Sequence, residues 1–387
     1  MPNIRYALHQ DLKAIRDLWQ YSFADEESFI SYYFDKRYDS AYNLIAYEDV
    51  LLASLQRNPY KININNDLQD TAYIVGISVY PEHRGKKLTT HLMHKALKEA
   101  YEKEEKISLL MPIDTSIYRR YGYENCFNLY SYEIDLVDIK FTKNINISLD
   151  RIDKMTNELA NDMVKIYSEI ASTWDIYLQR DLAYYFRFFE EVKIESGEMF
   201  IARDDRKDPI GYMVFYPKHQ VSKGFVREAF CIDSRGWDGF MMLISSHKTQ
   251  MDSVIIHQPI NSDLLYYFNY DNKIRISLKP FMMARVVDAK YILEKLADEI
   301  DLNIVMQIQD NILDNNNKTF QIKNGTVIET GVSPDVVVDI GTLTQLYIGE
   351  VSVDSAIYLK KIDASSKVIQ DLKHFFKKQI SYINEYI

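Results

Sequence analysis

The chain has 387 residues, 47% hydrophobic and 26% charged, a balance that gives a soluble globular protein enough core for two or three domains. Its formal net charge of −10 sets it against nucleic-acid backbones and anionic lipid surfaces and suits cationic small molecules. Cys126 and Cys231 are far apart and form neither a metal pattern nor a disulfide framework, and no run of about 18 apolar residues occurs. The expectation is therefore a cytoplasmic protein with no metal, no membrane partner and no nucleic-acid partner.

The N-terminal stretch MPNIRYALHQDLKAIRDLW carries charges throughout and has no apolar core of signal-peptide length. Asp25, Glu26 and Glu27 then precede an aromatic helical segment, ESFISYYFDKRY, containing Phe29, Tyr32, Tyr33 and Phe34. Acids ahead of aromatic rings can hold a polyamine by charge and apolar contact, or can simply cap a helix. Further on, the strand pattern AYIVGISVY runs into YPEHRGKKLTTHLM, residues 80–93. In that segment Leu88, Leu92, Ala96 and Ala100 recur every four residues, with Met93, Leu97 and Tyr101 beside them, so a helix starts near Leu88. Lys95, Lys98, Glu99, Glu102 and Lys103 take its other side.

The entry to this helix, HRGKKL, is a candidate phosphate cradle. Backbone N–H groups at a helix N-terminus converge on an anion, Arg84, Lys86 and Lys87 add positive charge, and Gly85 relieves the turn. A solvated basic turn is the plainer alternative. If Lys87 must take a left-handed backbone, a side chain there costs roughly 1–2 kcal/mol. A strand, ISLLM, and the segment PIDTSIYRRYGY follow.

The chain then repeats itself. PINSDLLYYFNY at 259–270 matches PIDTSIYRRYGY at 112–123 in its Pro, Ile and final Tyr. Strand, helix and strand precede both copies in the same order (FVREAFCI and DSVIIH being the second set), and RDLAYYFRFFEE corresponds to ESFISYYFDKRY. In the second copy the loop IDSRGWDGF has no basic cluster after Arg235 and carries Asp233 and Asp238, which argues against anion binding. Beyond about residue 280 the texture changes to strand and helix (MMARVVDAKYILEKL), two strands across the turn DNNN, then PDVVVDIGTLTQLYIGEVS and a helix near 365–379. The expected segments are 1–148, 149–280 and 281–387.

VGISVYPEHRGKKLTTHLM followed by IYRRYGYE resembles the signature of the GNAT acetyltransferases. The order of a copy with the cradle, a copy without it, and a third segment bearing ARVVD and GTLTQLYIGEVS resembles the enhanced-intracellular-survival (Eis) acetyltransferases over essentially the whole chain. That resemblance implies a mixed α-β (α+β) fold: tandem GNAT domains, each a central mixed sheet flanked by helices, and a C-terminal sterol-carrier-like α/β domain. It implies that the backbone at Ile77, Ser78 and Val79 holds the pantetheine of acetyl-CoA. Arg84, Gly85, Lys86, Lys87, Leu88 and Thr89 would wrap its pyrophosphate, with Lys87 and Thr89 standing where the family has small residues.

The same resemblance implies Tyr123 as general acid, the terminal carboxylate of Ile387 as base with Glu385 beside it, and Asp25, Glu26 and Phe29 against the acceptor. The acceptor would be a primary amine of an aminoglycoside or polyamine-like cation, attacking directly in a ternary complex within a closed homo-oligomer such as a hexamer. Tyr123 as a sheet-edge residue remains an alternative, because Tyr270 occupies the same place in the second copy. So does a non-catalytic acyl-CoA sensor or lipid-binding protein using the third segment. His83, His91 and His94 read as surface residues and Cys126 as core.

Overall fold

A computed structural model of the chain describes residues 2–142, 146–269, 272–297 and 302–386. The first copy runs β1 (Asn3–Tyr6), α1 (Leu12–Ser22), α2 (Glu27–Tyr32), β2 (Asn43–Tyr47), β3 (Leu51–Ile64), β4 (Asp67–Val79), α3 (Leu88–Glu102), β5 (Ile107–Leu110), α4 (Thr115–Arg119) and β6 (Glu124–Asp135). α1 buries Ile15, Leu18 and Trp19, the three- and four-residue spacing of one helix face. α3 buries the stripe expected from its sequence, Leu88, Leu92, Met93, Ala96, Leu97 and Ala100. α4 is started by Asp114, whose side chain accepts from the Ser116 N–H at 2.8 Å.

The second copy repeats this order: β7 (Ser148–Arg151), α5 (Asn157–Ala171), the short β8 (Ile176–Leu178), α6 (Leu182–Ile194), β9 (Glu198–Arg203), β10 (Pro209–Gln220), β11 (Lys223–Cys231), α7 (Ser234–Ser246), β12 (Ser253–Pro259), α8 (Leu264–Tyr267) and β13 (Arg275–Val286). The third segment adds α9 (Ala289–Ala297), β14 (Asn303–Gln309), β15 (Thr319–Lys323), β16 (Thr326–Glu329), β17 (Val336–Asp339), α10 (Ile340–Ile348), α11 (Val353–Tyr358), α12 (Ser366–Phe375) and β18 (Ser381–Tyr382). α10 is wholly buried and stops at Gly349, whose φ of 81° is the left-handed turn a glycine takes without penalty.

The chain packs into two compact units, and they cut the sequence differently from the three expected segments. The first unit holds residues 1–127, 175–179 and 281–387; the second holds 128–174 and 180–280. The reason is an exchange of last strands. In the first unit the sheet order is β1-β2-β3-β4-β5-β13, with Met283–Val286 antiparallel to Ile107–Leu110, so the place that chain order would give β6 is filled by β13. In the second unit the order is β7-β9-β10-β11-β12-β6, with Ser253–Pro259 antiparallel to Leu129–Asp135.

The first unit also contains a smaller sheet, β16-β15-β14-β17, covered by α9 and α10. Around both sheets lies one continuous core that includes Ile15, Leu18, Tyr33, Met282, Ile292, Phe320 and Leu343. The mixed α-β architecture expected from the sequence is thus what forms, with sheets flanked by helices in each unit.

Candidate active site

In the first unit β4 and β5 are parallel neighbours only from Ala72↔Ser108 to Ile74↔Leu110. β5 ends there while β4 continues to Val79, bonded on its other side to β3. The backbone edge of residues 75–79 is therefore open toward the gap left by β5. The register to β3 steps from Ser54↔Ser78 to Gln56↔Val75, so β4 carries one extra residue, a bulge that turns the strand at Gly76. Gly76 has φ +61°, and a Cβ there would fall inside the ring of Trp19. Glycine is required on both counts. Trp19 is in turn fixed by stacking on Tyr33, ring centroids 4.6 Å apart.

A cavity of about 130 Å³ opens at this bulge, lined by Trp19, Phe23, Asp25, Tyr73 to Ile77, Met111, Ile113 and Tyr118. It contains one carboxylate, Asp25, whose Oδ2 accepts from Trp19 Nε1 at 2.8 Å. Glu26 and Phe29 are not part of its lining. Glu26 is exposed at the N-cap of α2, and Phe29 is half-buried against Tyr33, 6.4 Å between ring centres. Glu27 is committed to Arg16.

From the cavity, β4 passes through Ile77, Ser78 and Val79 to the α3 entry. Ser78 is buried and its hydroxyl donates to the Gly76 carbonyl at 3.3 Å, bracing the bulge. At the entry, Gly85 (φ +82°) and Lys87 (φ +58°, ψ +26°) both take left-handed conformations, so Lys87 carries the roughly 1–2 kcal/mol of strain that a side chain adds there. Arg84, Gly85, Lys86 and Lys87 are exposed, Thr89 is half-buried, and buried Leu88 anchors the helix beneath them. The first turn of α3 receives no side-chain cap, so its N–H groups stay available to an external acceptor beside three cationic side chains.

The corresponding region of the second unit is closed from within. Asp233 caps α7 by accepting from the Arg235 N–H at 2.9 Å, and the Arg235 guanidinium lies 2.7 Å from the same carboxylate. The carbonyl of Ala229, beyond the β11–β12 pairing, accepts from Gln258 Nε2 at 2.8 Å. β11 also bulges, between its pairings at Val226 and Glu228, but the extra residue is Arg227, whose guanidinium is 2.8 Å from Glu191.

The two tyrosines of the IYRRYGY segment are placed differently. Tyr123 is fully buried; its hydroxyl shares a 2.7 Å hydrogen bond with Ser108, and burial pushes the phenol up to about 12. It is not among the residues lining the cavity. Tyr118, on α4, does line the cavity, and burial raises its phenol above the ordinary value near 10. The turn between them is held from below. Gly122 has φ +79°, the carbonyl of Tyr121 accepts from Arg285, and Arg285 is paired with Asp310 at 2.5 Å, both side chains buried.

Glu385 is buried, and its main-chain carbonyl accepts from the hydroxyl of Tyr73, a wall residue of the cavity, at 3.2 Å. The approach is guided by β18, which pairs with β8, and by Ile380, whose N–H donates to Asp175 at 2.7 Å. Ile387 lies outside the described residues, as does Tyr270. Cys126 is a buried core residue whose thiol burial pushes well above its usual range, as read from the sequence.

Sequence reading missed Trp19, Phe23, Tyr73, Met111, Ile113 and Tyr118. A signal for Tyr118 existed: in the repeat its counterpart is Leu265, whereas Tyr123 faces another tyrosine. A side chain kept for chemistry should differ between an open and a closed copy, while one kept for packing should not. Among the described residues no cluster of three or more His, Cys, Asp or Glu could hold a metal ion, and no helix is long and apolar enough to cross a membrane.

Residues 3–126 match the acetyltransferase (GNAT) domain family, and residues 289–384 the sterol carrier protein domain family. No curated protein matches the chain. Among solved structures, a probable N-acyltransferase from Enterococcus faecalis V583 superimposes with a TM-score of 0.85 at 18% identity. A GCN5-related N-acetyltransferase from Anabaena variabilis gives 0.81 at 18%, and Eis1 from Mycobacterium abscessus 0.79 at 16%. Each alignment covers 100% of both chains. At these identities the likeness is one of fold.

Proposed function

We propose that this chain, which carries a GNAT acetyltransferase domain and a sterol carrier protein domain at its C-terminal end, is an N-acetyltransferase of Eis-like architecture whose first unit moves an acetyl group from acetyl-CoA to a primary amine of a small cationic molecule. The observation that carries the reading is what β4 joins: a small cavity at its Gly76 bulge holding Asp25 and Tyr118, a strand edge at 75–79 that β5 leaves unpaired, and beyond it an uncapped helix start with exposed Arg84, Lys86 and Lys87.

The parts divide the work as follows. The N–H groups of the α3 first turn and the three cations hold the diphosphate, with the helix dipole adding to the attraction. The backbone of Ile77 to Val79 hydrogen-bonds the pantetheine arm as an added strand would. Acetyl-CoA supplies the acetyl group as a thioester, and the cavity's modest volume suits a two-carbon acyl group. Asp25, fixed by Trp19, attracts the cationic acceptor and aligns its amine.

When the amine nitrogen bonds to the thioester carbon and the C–S bond breaks, Tyr118 gives its phenolic proton to the departing sulfur. Its raised pKa keeps the phenol protonated at neutral pH. With a thiol near 8.5, that transfer costs at least about 2 kcal/mol, a modest part of an enzymatic barrier. The nitrogen's proton goes to a carboxylate on the tail that Tyr73 draws to the cavity wall; the family resemblance assigns it to Ile387.

The test is a thiol-release assay with acetyl-CoA across a panel of aminoglycosides and linear polyamines. Saturable release with at least one primary amine is expected. No release with any of them, together with no calorimetric binding of acetyl-CoA, overturns the reading. Appending residues after Ile387 should abolish turnover while acetyl-CoA still binds; a fully active extended chain removes the tail carboxylate from the mechanism.

A further inference from the structure

The second unit keeps a cavity where the first has its acceptor end. About 210 Å³ in volume, it lies beside the outer end of β11, where Ala229, Phe230 and Cys231 run past the strand pairing, and beside the start of the α8 segment. Three nearly buried rings line it: Trp174 (5% exposed), Phe230 (3%) and Trp237 (8%). Trp174 and Phe230 meet edge to face at 5.7 Å, and Trp174 Nε1 donates to Asn261 at 3.2 Å, echoing the way Trp19 is tied to Asp25.

At the rim stands Asp263, an exposed acid lining the cavity. It occupies the N-cap of α8, yet its side chain makes no cap hydrogen bond, and among the described residues its carboxylate has no cationic partner. Aromatic side chains beside an uncompensated carboxylate are an arrangement that attracts an organic cation: aromatic rings offer it apolar surface and π electrons, and the acid adds charge.

The thioester half of this unit, by contrast, is filled by its own groups. Asp233 and Arg235 close the helix start, Trp237 packs in the first turn of α7, and Gln258 takes the Ala229 carbonyl.

We propose that the second unit is a binding site for a small organic ammonium ion, seated among Trp174, Phe230 and Trp237 with Asp263 at its charged end, and that it holds this cation without acylating it. The likeness to an acceptor end rests on the reading of the first unit given above. The test does not, because no acyl transfer is measured.

The experiment is a fluorescence titration of full-length Trp19→Phe protein, in which Trp174 and Trp237 are the remaining tryptophan reporters, with choline chloride and with its uncharged isostere 3,3-dimethylbutan-1-ol. Choline should give a saturable change and the neutral alcohol at least tenfold weaker binding. Asp263→Asn should weaken choline at least fivefold, and Asp25→Asn in the first unit should leave the signal as it was. Absence of a saturable change, equal binding of the two probes, indifference to Asp263→Asn, or dependence on Asp25 would each overturn the proposal. Should Trp19→Phe not fold, the indole N–H signals of the native chain, followed by NMR, report the same titration.

Discussion

Set side by side, the helix entries of the two copies show one fold tuned to opposite ends. In the first unit α3 starts without a side-chain cap and surrounds its free N–H groups with Arg84, Lys86 and Lys87; in the second, Asp233 fills the same role from within and Arg235 neutralises it. The strand bulges differ in the same sense. Gly76 clears space beneath Trp19, whereas Arg227 fills its bulge and is paired with Glu191. A diphosphate site of this kind is a place where the protein declines to satisfy its own backbone, and a copy that satisfies it gives that site up.

The sharpest way to break the comparison is at the tyrosines. Tyr118→Phe should lower kcat about 10²- to 10⁴-fold while acetyl-CoA affinity stays within about twofold, the size of a lost general acid. Tyr123→Phe should cost about 1 kcal/mol of stability through the lost Ser108 bond and leave kcat within a few-fold. Steady-state kinetics with coenzyme calorimetry decide, and the reverse ranking would return the proton to Tyr123. Because burial raises the Tyr118 phenol, any alkaline loss of kcat that Tyr118→Phe removes should lie above pH 10.

Next in size is the support under the active turn. Asp310→Ala strands the buried Arg285 guanidinium and should cost about 3–5 kcal/mol in denaturant unfolding. Burial alone would raise the Asp310 carboxyl, but Arg285, Asn316 and the Ile312 N–H hold it below its usual range. Its contribution is therefore complete above about pH 4 and lost as pH falls through the depressed value. Acid-unfolding curves of the native chain and of the variant should converge there.

A smaller effect is expected at the bulge. Gly76→Ala forces a side chain into the Trp19 ring at a left-handed position and should cost about 2–4 kcal/mol, with coenzyme affinity falling as the strand edge shifts. The smallest effects lie at the entries themselves. Lys87→Gly relieves the left-handed strain and should stabilise by about 0.5–1 kcal/mol while weakening acetyl-CoA a few-fold. Asp233→Ala removes a cap worth about 1 kcal/mol, and the second unit should still bind no acetyl-CoA because Gln258 and Arg227 remain.

Much of this arrangement could be read locally. The four-residue stripe of α3, the basic turn ahead of it, the repeat, and the Gly349 stop after α10 are all signals within a few residues of the feature they set. Asp25 was legible as an acid ahead of rings, though its binding to Trp19 was not. What escaped was non-local. Strand exchange joins residues 107–110 to 283–286, a pairing no periodicity announces, and it is why three segments by texture pack as two units. Tyr118 and Tyr123 sit five residues apart in one motif, on either side of the turn at Gly122 (φ +79°), and one lines the cavity while the other is buried against Ser108. Their counterparts Leu265 and Tyr270 carried that distinction in the sequence itself.

The crossed last strands have an evolutionary edge. A gene that has doubled usually keeps the option of shedding one half, yet here a deletion of the second copy would remove Met283 to Val286 from the first unit's sheet and Arg285 from beneath its turn. The second copy is thereby ratcheted in place: free to drift in its own cleft, but not free to leave.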